Sequence, residues 1–283
     1  MDYDILLYAM LSLGGLGLLF GLALAVVAKK FAVEVDPKVE EILDLLPGAN
    51  CGGCGYPGCA GYAEAVASGE APVTGCAPGG PELAEQIGKV LGVSVENAVR
   101  KVAVVRCRGD KEHARDAFTY YGVPRCSAAQ RLDDGPKACV YGCLGFGDCV
   151  EACKFDALVM GSDGLPVVIE DNCTACGACV TACPRDIIAL IPYDEPVFLG
   201  CVNRDRGKAV KEVCSVGCIG CSLCSREKGN PNGGIKMDGA LPVLDFDHED
   251  HDFSDPLRAC PMSCFVRRLP AEGAADDENE DAA

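Results

Sequence analysis

The chain opens on an apolar run with no alternation. Ile5 to Ala28 are 24 consecutive residues without a charge, and about 20 residues suffice for a helix to cross the hydrocarbon core of a bilayer. The run predicts a single transmembrane helix spanning residues 5–28 within an anchor of residues 1–30. Asp2 and Asp4 precede it and Lys29 and Lys30 follow, so the positive-inside bias directs everything after residue 30 to the cytoplasm. A cleaved signal peptide is the rival reading, but it calls for a basic start, and this start is acidic. Glycines 14, 15, 17 and 21 would let a second membrane helix approach closely; the plainer reading is that glycine is common in membrane helices.

Beyond the anchor the pattern changes. Val39, Ile42, Leu43, Leu45 and Leu46 recur at helical spacing and stop at Pro47-Gly48, which predicts a short amphipathic helix. Residues 60–68 and 81–91 also read as helices. Further on come short apolar runs around Gly/Asp turns, VMGSDGLPVVIED at 159–171 and KMDGALPVLDF at 236–246. Each predicts a hairpin, and their likeness marks an internal duplication.

Composition reinforces this picture. Aromatic residues make up 6% of the chain and Trp is missing, whereas 21 of the 283 residues are cysteine. The cysteines fall in runs too tight to pair well with one another, so metal or cofactor binding is expected to organise the core. The net charge of −17 argues against a nucleic-acid partner. The charge is uneven: residues 100–137 hold nine Lys or Arg against five acids, while 271–283 hold six acids and no base. The basic stretch is a candidate landing surface for an acidic protein.

Four cysteine constellations carry the chemistry. Cys51, Cys54 and Cys59, in CGGCGYPGC, are followed by Cys76; zinc is the competing occupant, but zinc sites more often use two separated Cys-x2-Cys pairs. Cys173, Cys176, Cys179 and Cys183-Pro184 reproduce the bacterial [4Fe–4S] run C-x2-C-x2-C-x3-C-P, whose fourth cysteine serves the other cluster of a pair. The partner run is Cys139, Cys143, Cys149 and Cys153, and CVEAC at 149–153 recurs as CVTAC at 179–183. The crossover predicts one cluster on Cys139, Cys143, Cys149 and Cys183, and another on Cys153, Cys173, Cys176 and Cys179. The partner run has wider gaps, and Lys154 stands where proline is usual. The fourth constellation, Cys218, Cys221 and Cys224, finds Lys228 where a cysteine is due, and its fourth ligand is expected from Cys260-Pro261. Cys214 competes for that place, since Cys214-x3-Cys218 copies Cys139-x3-Cys143. About four clusters result. Cys107, Cys126, Cys201, Cys214 and Cys264 remain and read as buried free thiols. The DHEDH stretch at 247–251 reads as a solvated loop rather than a metal site. Neither a dinucleotide fingerprint nor a nucleophile triad is evident.

In order and wording, LLPGANCGGCGYPGCAGYA, ACVYGCLGFGDCVEACKFDAL, CTACGACVTACP and VCSVGCIGCSLC resemble the B subunit of the Rnf (Rsx) family of membrane electron-transport complexes. The resemblance covers nearly the whole chain, up to Cys264. It implies an electron-transfer subunit, on the cytoplasmic face of a bacterial or archaeal inner membrane, in a complex coupling ferredoxin oxidation and NAD reduction to ion translocation. Soluble ferredoxin and other subunits, some carrying flavin, are the implied partners, and no complete active site lies on this chain alone. An iron–sulfur subunit of another membrane oxidoreductase is the alternative, and a zinc scaffold or cluster-storage protein a third.

The expected fold is α+β. Behind the single transmembrane helix come a small helical [4Fe–4S] domain (36–92), a basic connecting region (93–137) and a two-cluster ferredoxin-like module (138–200). A second, half-degenerate ferredoxin-like module (201–269) and an acidic disordered tail (270–283) follow.

Overall fold

The computed structural model describes residues 3–30, 36–95, 99–248 and 251–268. The acidic tail therefore lies outside the described residues, as do Glu249 and Asp250 of the DHEDH stretch. The opening apolar run forms one helix, α1 (Tyr3–Lys30), with Asp4 in its first turn and Lys29 and Lys30 in its last, the charge order that complements the helix dipole. Its window Met10–Val27 is long and apolar enough to cross a membrane, and none of that window is buried.

Three helices follow as expected: α2 (Pro37–Leu45), α3 (Gly58–Ala67) and α4 (Gly80–Leu91). Asp36 caps α2, its Oδ1 accepting from the Lys38 N–H at 2.9 Å, with Pro37 at the first helical position. Ile42, Tyr62, Val66, Leu83 and Ile87 form their shared core.

The described residues from 99 to 268 hold two copies of one plan. The first comprises β1 (Lys101–Val105), α5 (Cys126–Ala129), α6 (Asp148–Glu151), β2 (Leu158–Met160), β3 (Pro166–Val168), α7 (Ala178–Ala182) and β4 (Ile188–Pro192). Strand β1 pairs antiparallel with β4, from Lys101 opposite Pro192 to Val105 opposite Ile188, and β2 with β3 as the predicted hairpin. The second copy comprises β5 (Val197–Leu199), α8 (Lys208–Val213), β6 (Ile235–Asp238), β7 (Leu241–Leu244), α9 (Ser254–Ala259) and β8 (Phe265–Arg267). Its first strand again pairs with its last, β5 with β8, around the hairpin β6–β7.

The module boundaries differ from the sequence expectation. Strand β1 lies within the stretch read as a connecting region, and β5 within the end of the first module, yet each opens a module by pairing with its closing strand. Both are short apolar runs whose partners lie far along the chain, so local pattern does not reveal the pairing. Two-stranded ribbons this short are marginal alone. Cysteine sulfurs complete their cores: Cys149 and Cys179 pack with Ala103, Leu158 and Ile188, and Cys201, Cys218, Cys224 and Cys264 pack with Leu199, Ile235 and Phe265.

Candidate metal centres

In the domain of α2, α3 and α4, Cys51, Cys54, Cys59 and Cys76 line one cavity with Leu46, Tyr62 and Pro78. Asn50 shapes the loop, its Oδ1 accepting from the Cys59 N–H at 2.8 Å. The buried Tyr62 hydroxyl is shared between the carbonyls of Pro72 (2.9 Å) and Val73 (3.2 Å), and burial pushes its pKa up to about 12. Burial also pushes up the Cys76 thiol, and Cys59, Cys54 and Cys51 beside it add to the rise.

In the first module Cys143, Cys149 and Cys183 line a common cavity, and the fourth cysteine there is Cys126. Cys139, expected at this place, instead lines a different cavity with Cys107, Cys201 and Cys214. The reason is visible in the spacing. A run of C-x2-C-x2-C would need a cysteine at position 146, which is Phe146, and α5 brings Cys126 in to fill the gap. Asp148 holds it there, its carboxylate accepting from the N–H groups of Cys126 (2.8 Å) and Ser127 (3.0 Å). Burial and the thiolates of Cys126 and Cys183 push the Cys149 thiol up to about 12.

Cys153, Cys173 and Cys176, expected to share a set with Cys179, lie beside it. Cys179 is pushed up to about 11 by burial and then by Cys173, Cys176 and Cys153. Backbone N–H groups of Ala103 and Ala157 point at the sulfurs of Cys173 and Cys153, both at 3.4 Å. Here too the helical domain meets the module. Cys76 and Cys173 share a cleft, and a Cβ at position 53 would lie 2.8 Å from the Cys176 carbonyl oxygen, so only glycine allows this approach.

In the second module Cys218, Cys221, Cys224 and Cys260 line one cavity, with Cys264 on its wall. Cys264 keeps its proton: hydrogen bonds to Cys218 and Cys260 raise its pKa, while lowering those of Cys218 to about 7 and Cys260 to about 6. Cys214, the competitor for this site, is not at the cavity.

Among the described residues, no three His, Cys, Asp or Glu side chains converge as ligands of one ion. Tetrahedral zinc needs four sulfurs at about 2.3 Å from one point. Thiolates spread around a cavity, with amide donors aimed at them, suit a polynuclear iron–sulfur group.

Of the nine basic residues of the stretch, Arg106, Arg108 and Lys137 are partly buried and the other six are exposed. Arg106 is half-buried beside Cys201, with burial lowering its pKa. Arg108 donates to the Ser263 carbonyl, Lys137 to that of Asp110 at 3.3 Å, and Arg125 pairs with Glu151 at 2.7 Å. Arg100 stacks on Tyr193 at 3.8 Å. Reversing the charge of Arg106 or Arg108 would disturb packing around the cysteines before it altered any landing surface.

Two family models match the chain: one described as "Putative Fe-S cluster" over residues 46–78, and a 4Fe-4S dicluster domain over 138–188. The chain is 44% identical to the B subunit of the ion-translocating oxidoreductase complex of Methanosarcina acetivorans, over 86% of this chain and 91% of that protein. It is 41% identical to the B subunit of the Na(+)-translocating ferredoxin:NAD(+) oxidoreductase complex of Acetobacterium woodii, over 89% and 75% respectively. With the B subunit of the proton-translocating ferredoxin:NAD(+) oxidoreductase complex of Clostridium ljungdahlii the identity is 46%, over 81% of each chain.

Proposed function

Because the chain belongs to the B-subunit family of ion-translocating oxidoreductase complexes, we propose that it receives electrons from soluble ferredoxin and relays them to partner subunits within such a complex. The observation that carries this reading is the grouping of cysteine sulfurs into sets of four in the helical domain and in both modules. The proposed ligand sets are Cys218, Cys221, Cys224 and Cys260; Cys126, Cys143, Cys149 and Cys183; Cys153, Cys173, Cys176 and Cys179; and Cys51, Cys54, Cys59 and Cys76. On this reading the second module keeps one of the two sites its plan allows.

A [4Fe–4S] cluster, when bound, exchanges single electrons at a potential set by hydrogen bonds, charge and exposure. The chain supplies the seats. Backbone amides orient and stabilise the thiolates, apolar walls keep water from the sulfurs, and the close approach of Gly53 to Cys176 brings the set that contains Cys51 and the set that contains Cys153 together. The helix α1 is proposed to cross the membrane once, leaving the cysteine domains on the cytoplasmic side. Residues 31–35 limit the separation between Lys30 and Asp36 to about 20 Å, so the helical domain stays at the membrane and the partner subunits there meet it at high effective concentration.

Full-length protein purified without oxygen should absorb broadly in the visible range and be bleached by an excess of reduced ferredoxin, one electron per cluster. Colourless, iron-free protein, or iron-loaded protein that ferredoxin cannot reduce, would overturn the reading.

A further inference from the structure

The four proposed sets leave five cysteines over; Cys264 lies on the wall of the second module's cavity, and the other four, Cys107, Cys139, Cys201 and Cys214, line a single cavity between the two modules. Their places follow the duplication. Cys107 stands two residues after β1 and Cys201 two residues after β5, while Cys139 and Cys214 each stand four residues before the cysteine that opens their module's own run, Cys143 and Cys218. Each module thus contributes the same two positions. The segments are also joined directly: Ala114 bridges Cys214, the Arg115 N–H donates to the Val213 carbonyl at 3.0 Å, and the Ser215 N–H donates to the His113 carbonyl at 2.9 Å.

The surroundings of the sulfurs are built for negative charge. The Cys143 N–H points at Cys107 Sγ (3.4 Å), and the N–H groups of Cys218 (3.2 Å) and Asn203 (3.4 Å) point at Cys201 Sγ. Asn203 is 2% exposed, and its Nδ2 donates to Cys139 Sγ at 3.4 Å. A buried amide is costly unless its donors find acceptors, and a neutral thiol is a weak one; a metal-bound thiolate is a strong one. Gly109 lies against both sulfurs: a Cβ there would press on Ala114 Cβ at 3.0 Å and touch Cys214 Sγ (3.4 Å) and Cys107 Sγ (3.7 Å). Arg106, beside Cys201, offers the compensating positive charge. Buried free thiols require none of these features.

We propose that Cys107, Cys139, Cys201 and Cys214 ligate a further [4Fe–4S] cluster held in common by the two modules, two ligands from each. The proposal rests on the reading that this chain's cysteine sets hold clusters, and it extends it. This seat lies between two of the proposed sets and touches both, through the Cys143 N–H to Cys107 and the Cys218 N–H to Cys201. It closes the interval between the second module's cluster and those of the first, so the relay is continuous.

The test is iron and acid-labile sulfide per chain in full-length protein purified or reconstituted without oxygen. About 20 of each is expected, four per site, against about 16 without the shared seat. Cys139→Ala/Cys201→Ala should lose about four of each, whereas Cys264→Ala should lose none. Should the double variant fail to fold, the wild-type stoichiometry decides alone. Asn203→Leu gives a second reading: iron unchanged, with the midpoint of one cluster alone moved to more negative potential. About 16 iron in the wild type, a double variant with undiminished iron, or about one zinc beside 16 iron would each overturn the shared cluster and leave the relay reading intact. Iron-free wild-type protein would overturn the relay reading itself.

Discussion

Cys264 illustrates how a single thiol acts without being a ligand. It is 1% exposed, its backbone N–H donates to Cys260 Sγ at 3.3 Å, and its S–H lies within reach of the sulfurs of Cys218 and Cys260 and of the carbonyls of Val216 (3.5 Å) and Met262 (3.7 Å). Donors on cluster sulfurs stabilise the reduced, more negative state. Cys264→Ala should therefore leave the iron content unchanged and shift the midpoint of the second module's cluster to more negative potential. One hydrogen bond is worth about 1 kcal/mol, or about 40 mV for a single electron, and redox-titrated EPR would measure it. An unchanged midpoint would show that the thiol only fills space. Cys126 teaches the complementary lesson. In sequence it is an isolated cysteine, and the fold places it in the cavity of Cys143, Cys149 and Cys183, with the Asp148 carboxylate anchoring its backbone.

At the scale of elements, strands of three to five residues cannot hold two modules together by themselves. The end of β8 does so through a side chain. Arg268, 8% exposed, donates from Nε and Nη2 to the two oxygens of Glu170 at 2.8 and 2.6 Å, and from Nη1 to the carbonyls of Tyr193 (3.0 Å) and Glu195 (2.9 Å). This paired fork ties the second module's last strand to the loop after β3 of the first. Glu170→Ala would leave a buried guanidinium without its counter-charge, which costs about 3–5 kcal/mol. The lower end is expected because Glu170 keeps some contact with water, its side chain being 18% exposed. Thermal or denaturant unfolding of the loaded protein measures the loss. Arg268→Met with Glu170→Met, which removes both charges, should recover much of it. Equal stability in the Glu170→Ala variant would show that the strand pairing suffices.

Across the whole molecule, the cysteines couple metal loading to protonation. Burial pushes the thiols of Cys143, Cys149 and Cys224 up to about 12, with neighbouring cysteines adding to the rise, against about 8.5 for a free thiol. The metal-free native chain thus holds protons that the unfolded chain gives up above pH 8.5. Wherever the native state binds more protons, stability falls as pH rises. Metal-free protein should therefore lose stability steadily from about pH 8.5 toward pH 12, and loading at neutral pH should release protons as thiols become ligands. Loaded protein, whose sulfurs are already deprotonated, should lack this slope. Urea midpoints of both forms at pH 7 and 9.5 would check it, and parallel behaviour of the two would refute it.

Much of the site was legible in the sequence because its signals are local. The apolar run of α1, the spacing Cys51-x2-Cys54, the run from Cys173 to Cys183 and the paired hairpins each depend on residues a few positions apart, and short-range spacing dictates which side chains can share a turn. That Cys126, and not Cys139, lines the cavity of Cys143, Cys149 and Cys183 was not legible, nor was the gathering of Cys107, Cys139, Cys201 and Cys214, nor the closing of each module by its first and last strands. These depend on segments dozens of residues apart meeting in three dimensions. Spacing along the chain places no constraint on such meetings until packing of the two modules against each other has decided them.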